Sequence, residues 1–420
     1  MSRNDISILI PAYNRAHFLA DALNSVLPEL GPNDEIIVAD DGSEDAIGRV
    51  LRPYLKDKRI RFFRKAHTGA PDTKNFALSK ARRPWVLWLD SDDRLRKGAL
   101  KHYRAFMENF PEVHVFYGNL HCFGQIGKKR PLLRLKDYYR KNDGLLADLF
   151  QKNCIMDSGT LIRRSVYEQF GAYDVSFDIL YDWDFWVKVV NVVLFKHIGS
   201  VTCEYRWHEA NLTTASVKRD RRFDQKHLKN MLARHPLETL FPKLNWKVRT
   251  QAMAKAYRLI GQNFRLRELP QDSMPYLMKS FKLADTPETL KEMARSFVSL
   301  PGSGRRAVLN KIGSKVLRRG ALHLMNEKKT TRLNHYTAAS LLESLGNFPE
   351  AAKIFLRLLS RPGTSEQNLG SFRGGIFFHL GQIHEALGES SKAVSFYKKT
   401  LQCIPGHGKA ESRLTRLLAC

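Results

Sequence analysis

The run Trp85-Val86-Leu87-Trp88-Leu89, broken off at once by Asp90-Ser91-Asp92-Asp93, constrains this chain more than any other stretch. Five apolar residues in a row have the length of a strand and read as one buried on both faces. The acids that follow then sit at its carboxyl end, the edge at which open α/β sheets bind their ligands. Carboxylates this close repel one another unless a cation or hydrogen-bond donors share the site. The plainer alternative is a polar turn with an Asp capping the next helix.

The chain before this stretch repeats one rhythm. Ile6 to Ile10 is an aliphatic run stopped by Pro11, after which Ala16, Leu19, Leu23, Val26 and Leu27 recur at helical spacing. Gly31-Pro32-Asn33-Asp34 breaks the chain before Ile36-Ile37-Val38-Ala39, which ends in Asp40-Asp41-Gly42-Ser43. A polar, helical stretch leads to Ile60-Arg61-Phe62-Phe63, and a further helix-length segment reaches Trp85. Strand and helix in alternation predict a parallel sheet with right-handed crossovers. No Gly-x-Gly-x-x-Gly follows the first strand and no Gly-x-x-x-x-Gly-Lys occurs, which argues against dinucleotide and P-loop phosphate binding.

Pro11-Ala12-Tyr13-Asn14, Ala39-Asp40-Asp41-Gly42-Ser43 and Leu89-Asp90-Ser91-Asp92-Asp93 resemble the successive signatures of glycosyltransferase family 2, whose fold is GT-A. Ser158-Gly159-Thr160-Leu161-Ile162-Arg163-Arg164, Tyr181-Asp182-Trp183-Asp184-Phe185-Trp186-Val187-Lys188 and Tyr205-Arg206-Trp207-His208 are similar to later blocks of that family, in the same order. The resemblance covers about the first half of the chain. It implies a GT-A-type, mostly parallel sheet flanked by helices and an inverting transfer of sugar from a nucleotide diphosphate.

Residue chemistry agrees with that expectation. Mg²⁺ and Mn²⁺ prefer hard oxygen ligands and bridge to phosphates, and a bound divalent ion neutralises a departing diphosphate. By resemblance, Asp92 touches the metal, His208 completes the shell or contacts the diphosphate, and Asp90, with Ser91 beside it, faces the ribose. Pro11, Tyr13, Asn14, Asp40 and Asp41 end the first two strands near the same sheet edge. Tyr13 offers a flat face to a base, and Asp40 or Asp41 can accept the ring N–H of uracil; the lean toward UDP is a family-level one. For Asn14 the alternative is a helix N-cap, and for Asp40-Asp41-Gly42 a turn. Lys74-Asn75 stands where the family usually has Arg-Asn, so Lys74 brings charge to the diphosphate as a point and not as a fork. Single displacement needs a base for the acceptor proton. By resemblance this is Asp182, although Tyr181 replaces the family's more usual Glu; the alternative places Asp182 and Asp184 as favourable charges in the first turn of a helix.

A formal charge of +27 predicts anionic partners. The basic residues cluster at Arg59, Arg61, Arg64 and Lys65, at Lys128, Lys129 and Arg130, and at Lys218, Arg219, Arg221 and Arg222. With no zinc-finger spacing and no aromatic-rich basic motif, nucleic acid is the weakest such partner, behind an anionic membrane surface or an acidic acceptor. Five scattered cysteines make no disulfide framework, and no secretory signal or spanning segment is evident. The expectation is a cytoplasmic protein that visits the inner face of a membrane by charge.

After Thr214 strand signals vanish. Leu380-Gly381, Gly388, Ala393, Tyr397 and Pro405 fall at the spacings of a tetratricopeptide repeat, Gly346, Ala351 and Phe355 repeat part of that frame, and Ala254 to Leu283 reads as a degenerate helical pair. The alternative is a plain bundle. The expected organisation is a catalytic domain over 1–215, a helical linker or bundle over 216–330 and helical repeats over 331–420. The leading function is a metal-dependent transferase building a cell-surface glycan on a glycan or lipid-linked acceptor. The alternatives are transfer to a protein or peptide, with the helical half gripping it, or a repeat-containing interaction protein with a degenerate transferase half.

Overall fold

A computed structural model describes residues 4–125, 132–139, 142–209, 211, 220–326, 331–360 and 369–419. The basic cluster Lys128-Lys129-Arg130, Thr214, Lys218, Arg219 and Cys420 lie outside them. The chain divides into two compact units, 1–243 and 244–420.

The first unit is built on a sheet whose parallel half follows from the aliphatic runs. Strands β1 (Ile6–Ala12), β2 (Glu35–Asp40), β3 (Ile60–Arg64) and β4 (Trp85–Trp88) lie in the order β3-β2-β1-β4, all parallel. Ile8, Leu9, Ile10, Ile36, Ile37, Val38, Val86 and Leu87 are fully buried, as central strands covered on both faces require. Helix α1 (Ala16–Val26) lays Leu19, Ala22, Leu23 and Val26 against this core, one stripe at helical period. Helices α2 (Ile47–Leu51) and α3 (Ala70–Lys80) complete the crossovers.

Beyond β4 the sheet turns mixed. In chain order come β5 (Arg94–Leu95), helix α4 (Ala99–Asn109), β6 (Val115–Gly124), β7 (Leu132–Leu133), helix α5 (Asn142–Leu149), β8 (Leu161–Arg163), helices α6 (Arg164–Phe170) and α7 (Tyr181–Val189), and β9 (Phe195–Trp207). β8 runs antiparallel to β4, β6 antiparallel to β8, and β9 parallel to β6. The short β5 and β7 pair with β9 and β6. This mixed sheet with flanking helices is the α/β architecture the sequence implies. Helices α8 (Arg221–Arg234) and α9 (Leu237–Leu240) end the unit, and α8 is tied to α7 by Arg234 Nη1 on Asp184 Oδ1 at 2.9 Å.

Two close approaches join the halves. The Gly159 N–H donates to the Trp88 carbonyl at 2.8 Å, and the Trp88 N–H to the Thr160 carbonyl at 3.1 Å. Gly159 has φ +80, and a Cβ there would lie 2.5 Å from Cys203 Cβ. Only glycine lets the chain enter β8 this close to β9.

The second unit contains, among the described residues, only helices: α10 (Arg249–Leu266), α11 (Pro270–Leu283), α12 (Pro287–Ser299), α13 (Gly302–Met325), α14 (Arg332–Ser344), α15 (Phe348–Ser360), α16 (Leu369–Ala386), α17 (Ser390–Cys403) and α18 (Gly408–Leu418). Neighbours pack as hairpins: α10 with α11, α14 with α15, and α16 with α17. Those three hairpins turn in the same way. Leu269 N–H bonds the Phe264 carbonyl, Asn347 N–H that of Leu342, and Glu389 N–H that of His384, each one residue past a left-handed residue: Glu268, Gly346 and Gly388. This double-bonded helix end satisfies carbonyls that would otherwise lack partners. Gly381, at the expected spacing, admits the Tyr397 ring, whose nearest atom would lie 2.6 Å from a Cβ at that position. Among the described residues no helix is long and apolar enough to cross a membrane.

Gly159 and Gly346 separate two costs of adding a methyl. At Gly346 (φ +76) a Cβ meets nothing within 4 Å, so Gly346→Ala carries only backbone strain, about 1–2 kcal/mol. Gly159→Ala adds the collision with Cys203 and should lose at least about 3 kcal/mol. Chemical denaturation of both variants, followed in the near and far ultraviolet, checks the order.

Candidate active site

Four parallel strand ends form the floor of the site. The register sets Ala12 beside Asp40, Asp40 beside Arg64, and Leu9 beside Trp88. The segments leaving β1, β2, β3 and β4 therefore emerge side by side, carrying Tyr13-Asn14, Asp41, Lys65 to His67, and Asp90 to Asp93.

The first three are latched together. Pro11, half-buried and paired with Ala39, ends the strand core. Asn14 adopts a left-handed backbone (φ 52), donates its N–H to Ser43 Oγ at 2.9 Å and accepts the Glu44 N–H on Oδ1 at 2.9 Å. It is not the N-cap of α1; Asp45 reaches over instead, accepting the Ala16 N–H at 2.8 Å. Asp41 is more than a turn residue. Its Oδ1 accepts from Lys65 Nζ at 2.7 Å and the Thr68 N–H at 3.0 Å, its Oδ2 from the Gly69 N–H at 2.9 Å, and His67 Nδ1 lies 2.9 Å away. Burial pushes this carboxyl up, but Lys65, Thr68 and Gly69 outweigh it and hold the group below its ordinary value. Asp40 is fully buried; Oδ1 accepts the Ser43 N–H at 3.0 Å, while Oδ2 has no hydrogen-bond partner and Arg64 Nε stands 3.4 Å off. Tyr13 is 39% exposed, its ring stacked on His67 with centroids 4.0 Å apart.

The acidic turn after β4 alternates its burial: Ser91 and Asp93 point in, Asp90 and Asp92 are half-buried. Asp93 accepts the Arg206 N–H at 2.9 Å, and burial, then the charges of Asp92 and Asp90, push its carboxyl well above the usual range. It braces the Arg206 backbone and caps no helix; Glu29 takes the Leu100 N–H at 3.0 Å at the start of α4. Asp90 Oδ1 lies 3.1 Å from Lys74 Nζ, which also contacts Asp157 Oδ2 at 3.0 Å. Lys74 is 2% exposed, its ammonium 4.9 Å from the Trp88 ring centroid and 5.8 Å from that of Tyr181. A buried ammonium is tolerable only with such compensation. Asp157 Oδ2 also accepts from Tyr173 OH at 2.9 Å, and Asn75 fixes that tyrosine by bonds to its backbone N–H at 3.0 Å and carbonyl at 2.9 Å.

Asp92 and His208, expected as a pair, face each other: Oδ2 to Nε2 is 2.9 Å, with Arg15 Nε 3.5 Å from the same oxygen. Arg206 secures both strands of this corner. Its Nε donates to the Asp92 carbonyl at 2.7 Å, Nη2 binds Asp21 Oδ2 at 2.7 Å, and the guanidinium lies 4.4 Å from the Phe18 and Phe123 ring centroids. One carboxylate and one imidazole fit Mg²⁺ or Mn²⁺, which keep waters and take phosphate oxygens for the remaining positions. Among the described residues no group of three or more His, Cys, Asp or Glu gathers to hold an ion alone.

Asp182 is the second residue of α7, two after Leu180, whose φ of 66 is strained for a residue with a branched side chain. Its Oδ2 accepts from Asn153 Nδ2 at 2.8 Å and its Oδ1 from the Trp183 N–H at 2.8 Å. Burial first, and the nearby Asp157 charge second, push its carboxyl up to about 7. A carboxylate poised there can hold or release a proton near neutrality. Asp184 points elsewhere, to Arg234 and Asn230 on α8. Sequence reasoning missed Asp157, Asn153, His67 and Arg206. Asp157 directly precedes the Ser158–Arg164 block, a position that gives no cue of its own.

Residues 7–171 match the family described as Glycosyl transferase family 2. An uncharacterized glycosyltransferase of Rickettsia felis is 36% identical over 122 residues, 29% of this chain and 20% of that protein. The chain thus spans about a fifth of the length of that relative. A second, from Rickettsia typhi, is 26% identical over 217 residues, 50% of this chain and 67% of that protein. The putative teichuronic acid biosynthesis glycosyltransferase TuaG of Bacillus subtilis is 36% identical over 104 residues, 24% of this chain and 41% of that protein. Among solved structures, S. aureus TarS 1-349 in complex with UDP-GlcNAc aligns over 83% of this chain and 91% of its own at 15% identity and a TM-score of 0.44.

If Asp41 is the latch of the 65–69 loop, Asp41→Ala should expose the Thr68 and Gly69 amides. Loss of charge-assisted bonds of about 1.5–3 kcal/mol predicts at least roughly tenfold faster exchange there. Hydrogen-exchange mass spectrometry reads it, with β1 as the unchanged control.

Proposed function

From the match of residues 7–171 to glycosyl transferase family 2, we propose an inverting glycosyltransferase that moves a sugar from a nucleoside diphosphate, UDP foremost, to a hydroxyl of a growing cell-surface glycan. One observation carries the reading. Lys74 joins Asp90, in the acidic turn that also carries Asp92, to Asp157, and the charges of Asp157 and Lys74 both act on the proton-poised Asp182 of α7.

In this reading the base lies against Tyr13 beside His67, with Asp40 and Asp41 near its polar edge and Asn14 and Pro11 shaping the rim. Asp90, steadied by Lys74, faces the ribose, and Ser91 holds the turn. Asp92 and His208 would hold Mg²⁺ or Mn²⁺ together with the diphosphate, and the ion supplies neutralising charge to the leaving group when bound. Asp182 accepts the proton of the acceptor hydroxyl. The acceptor oxygen bonds to the anomeric carbon from the face opposite the leaving group, and the carbon–oxygen bond to the diphosphate breaks with its electron pair leaving on the nucleotide. Configuration inverts because one displacement occurs. The aromatics around Lys74, buried Trp88 and Tyr173 and half-buried Tyr181, keep water from competing with the acceptor.

A glycan or lipid-linked acceptor is supported by the name of the TuaG relative and by the +27 charge, which suits anionic polymer or the inner face of an anionic membrane from the cytoplasm. The helical hairpins after residue 330 are the region proposed to hold acceptor or a protein partner. Nucleic acid is not proposed.

A thermal-shift panel of nucleotide sugars with and without Mn²⁺ should single out uridine donors and show metal-dependent stabilisation. No shift with any nucleoside diphosphate would remove the enzyme reading. Asp182→Asn should lower transfer at least about a thousandfold while UDP binding changes less than about threefold. Since Asp182 works deprotonated and its carboxyl sits at about 7, activity should rise roughly tenfold per pH unit below 7 and level off above it. An initial-rate profile from pH 5 to 9 reads this limb.

A further inference from the structure

Lys74 is enclosed, and Asp157 is what encloses it. Its Oδ2 receives both the Lys74 ammonium at 3.0 Å and the Tyr173 hydroxyl at 2.9 Å. The other oxygen, Oδ1, is buried with no hydrogen-bond partner, in a residue 5% exposed. A pair kept only for stability would be expected to satisfy both oxygens, because a buried orphan acceptor costs about 1–3 kcal/mol. Such unsatisfied groups collect where a protein does chemistry.

We infer that Asp157 is a positioning residue of the active site: it fixes the Lys74 ammonium against Asp90 and, through that ammonium 5.8 Å from the Tyr181 ring, bears on the neighbouring Asp182. The inference rests on Asp182 being the base proposed above. Asp157 and Lys74 act on Asp182 with opposite sign, one negative and one positive charge on the same buried pair. Removing either unbalances the other. Around Asp182 the remaining groups are Tyr181 on its own helix, Asn153 after α5, and Asp90 beyond Lys74. Asp184 is taken up by Arg234, and Asp148 of α5 by Lys136 and Tyr138.

Carbodiimide labelling of protonated carboxyls, read at Asp182 by peptide mass spectrometry over pH 4 to 9, measures the effect with no turnover. In Asp157→Asn the labelling midpoint of Asp182 should fall by roughly one pH unit, because the negative neighbour is gone while Lys74 remains. In Lys74→Met it should rise by a similar amount, and the double variant should lie between the two. General loosening of the cleft would move both single variants the same way, toward the ordinary carboxyl value. Shifts of the same sign, or no shift in Asp157→Asn, overturn the inference. If Lys74→Met fails to fold, Lys74→Gln takes its place, and a fall of the midpoint there too overturns the inference. With a donor that turns over, the rising limb of the pH profile should move with the labelling midpoint. Failure to turn over any nucleotide sugar would count against the proposed function and leave the labelling result standing.

Discussion

A buried ammonium shared by two carboxylates holds the cleft together. Lys74 comes from α3, Asp90 from the turn after β4 and Asp157 from the segment entering β8, so one side chain joins three parts of the chain far apart in sequence. Burying such a charge is costly, and it is compensated only when every contact is in place. The cleft is therefore all-or-none: the aromatic cage of Trp88 and Tyr181, the Tyr173 hydroxyl and the two acids either assemble together or leave a lysine stranded in the interior.

The sheet makes that assembly possible. Parallel pairing of β1, β2, β3 and β4 puts four strand ends in a row, and the antiparallel entry of β8 brings Asp157 and Ser158 back alongside the last of them. Ser158 Oγ accepts the Asp90 N–H at 3.2 Å, so the returning segment touches the acidic turn directly. The far strand β9 closes the other side through Arg206, which binds the backbone of Asp92 just before His208 meets its side chain. Strand ends and the turns after them deliver the acids and Arg206, while α3 and α7 supply Lys74 and Asp182.

Much of this was legible in the residues. Aliphatic runs of strand length, each ended by polar turns, locate the parallel half because a doubly covered strand has no polar face to hide. Asp92 and His208, both singled out from the sequence, lie 2.9 Å apart. Local patterns said less about which partner a polar side chain chooses. Asn14 has the composition of a helix cap, yet a left-handed backbone turns it toward Ser43 and Glu44, and Asp45 caps from a distance. Asp157 carries no local mark, because its partners lie 83 residues upstream at Lys74 and 16 downstream at Tyr173. The mixed half of the sheet was equally silent: β5, β7 and β8 are two or three residues long, too short for any period to register.

The three matching turns of the helical unit carry a different lesson. Because each hairpin ends its first helix with the same pair of backbone bonds, the ends need no particular side chain beyond one residue able to sit left-handed, and Glu268 fills that role where Gly346 and Gly388 do elsewhere. A region assembled from such interchangeable pieces can gain or lose a whole hairpin and keep the remainder intact. Its length is then set by how many such pairs are strung together and not by any one stretch of sequence.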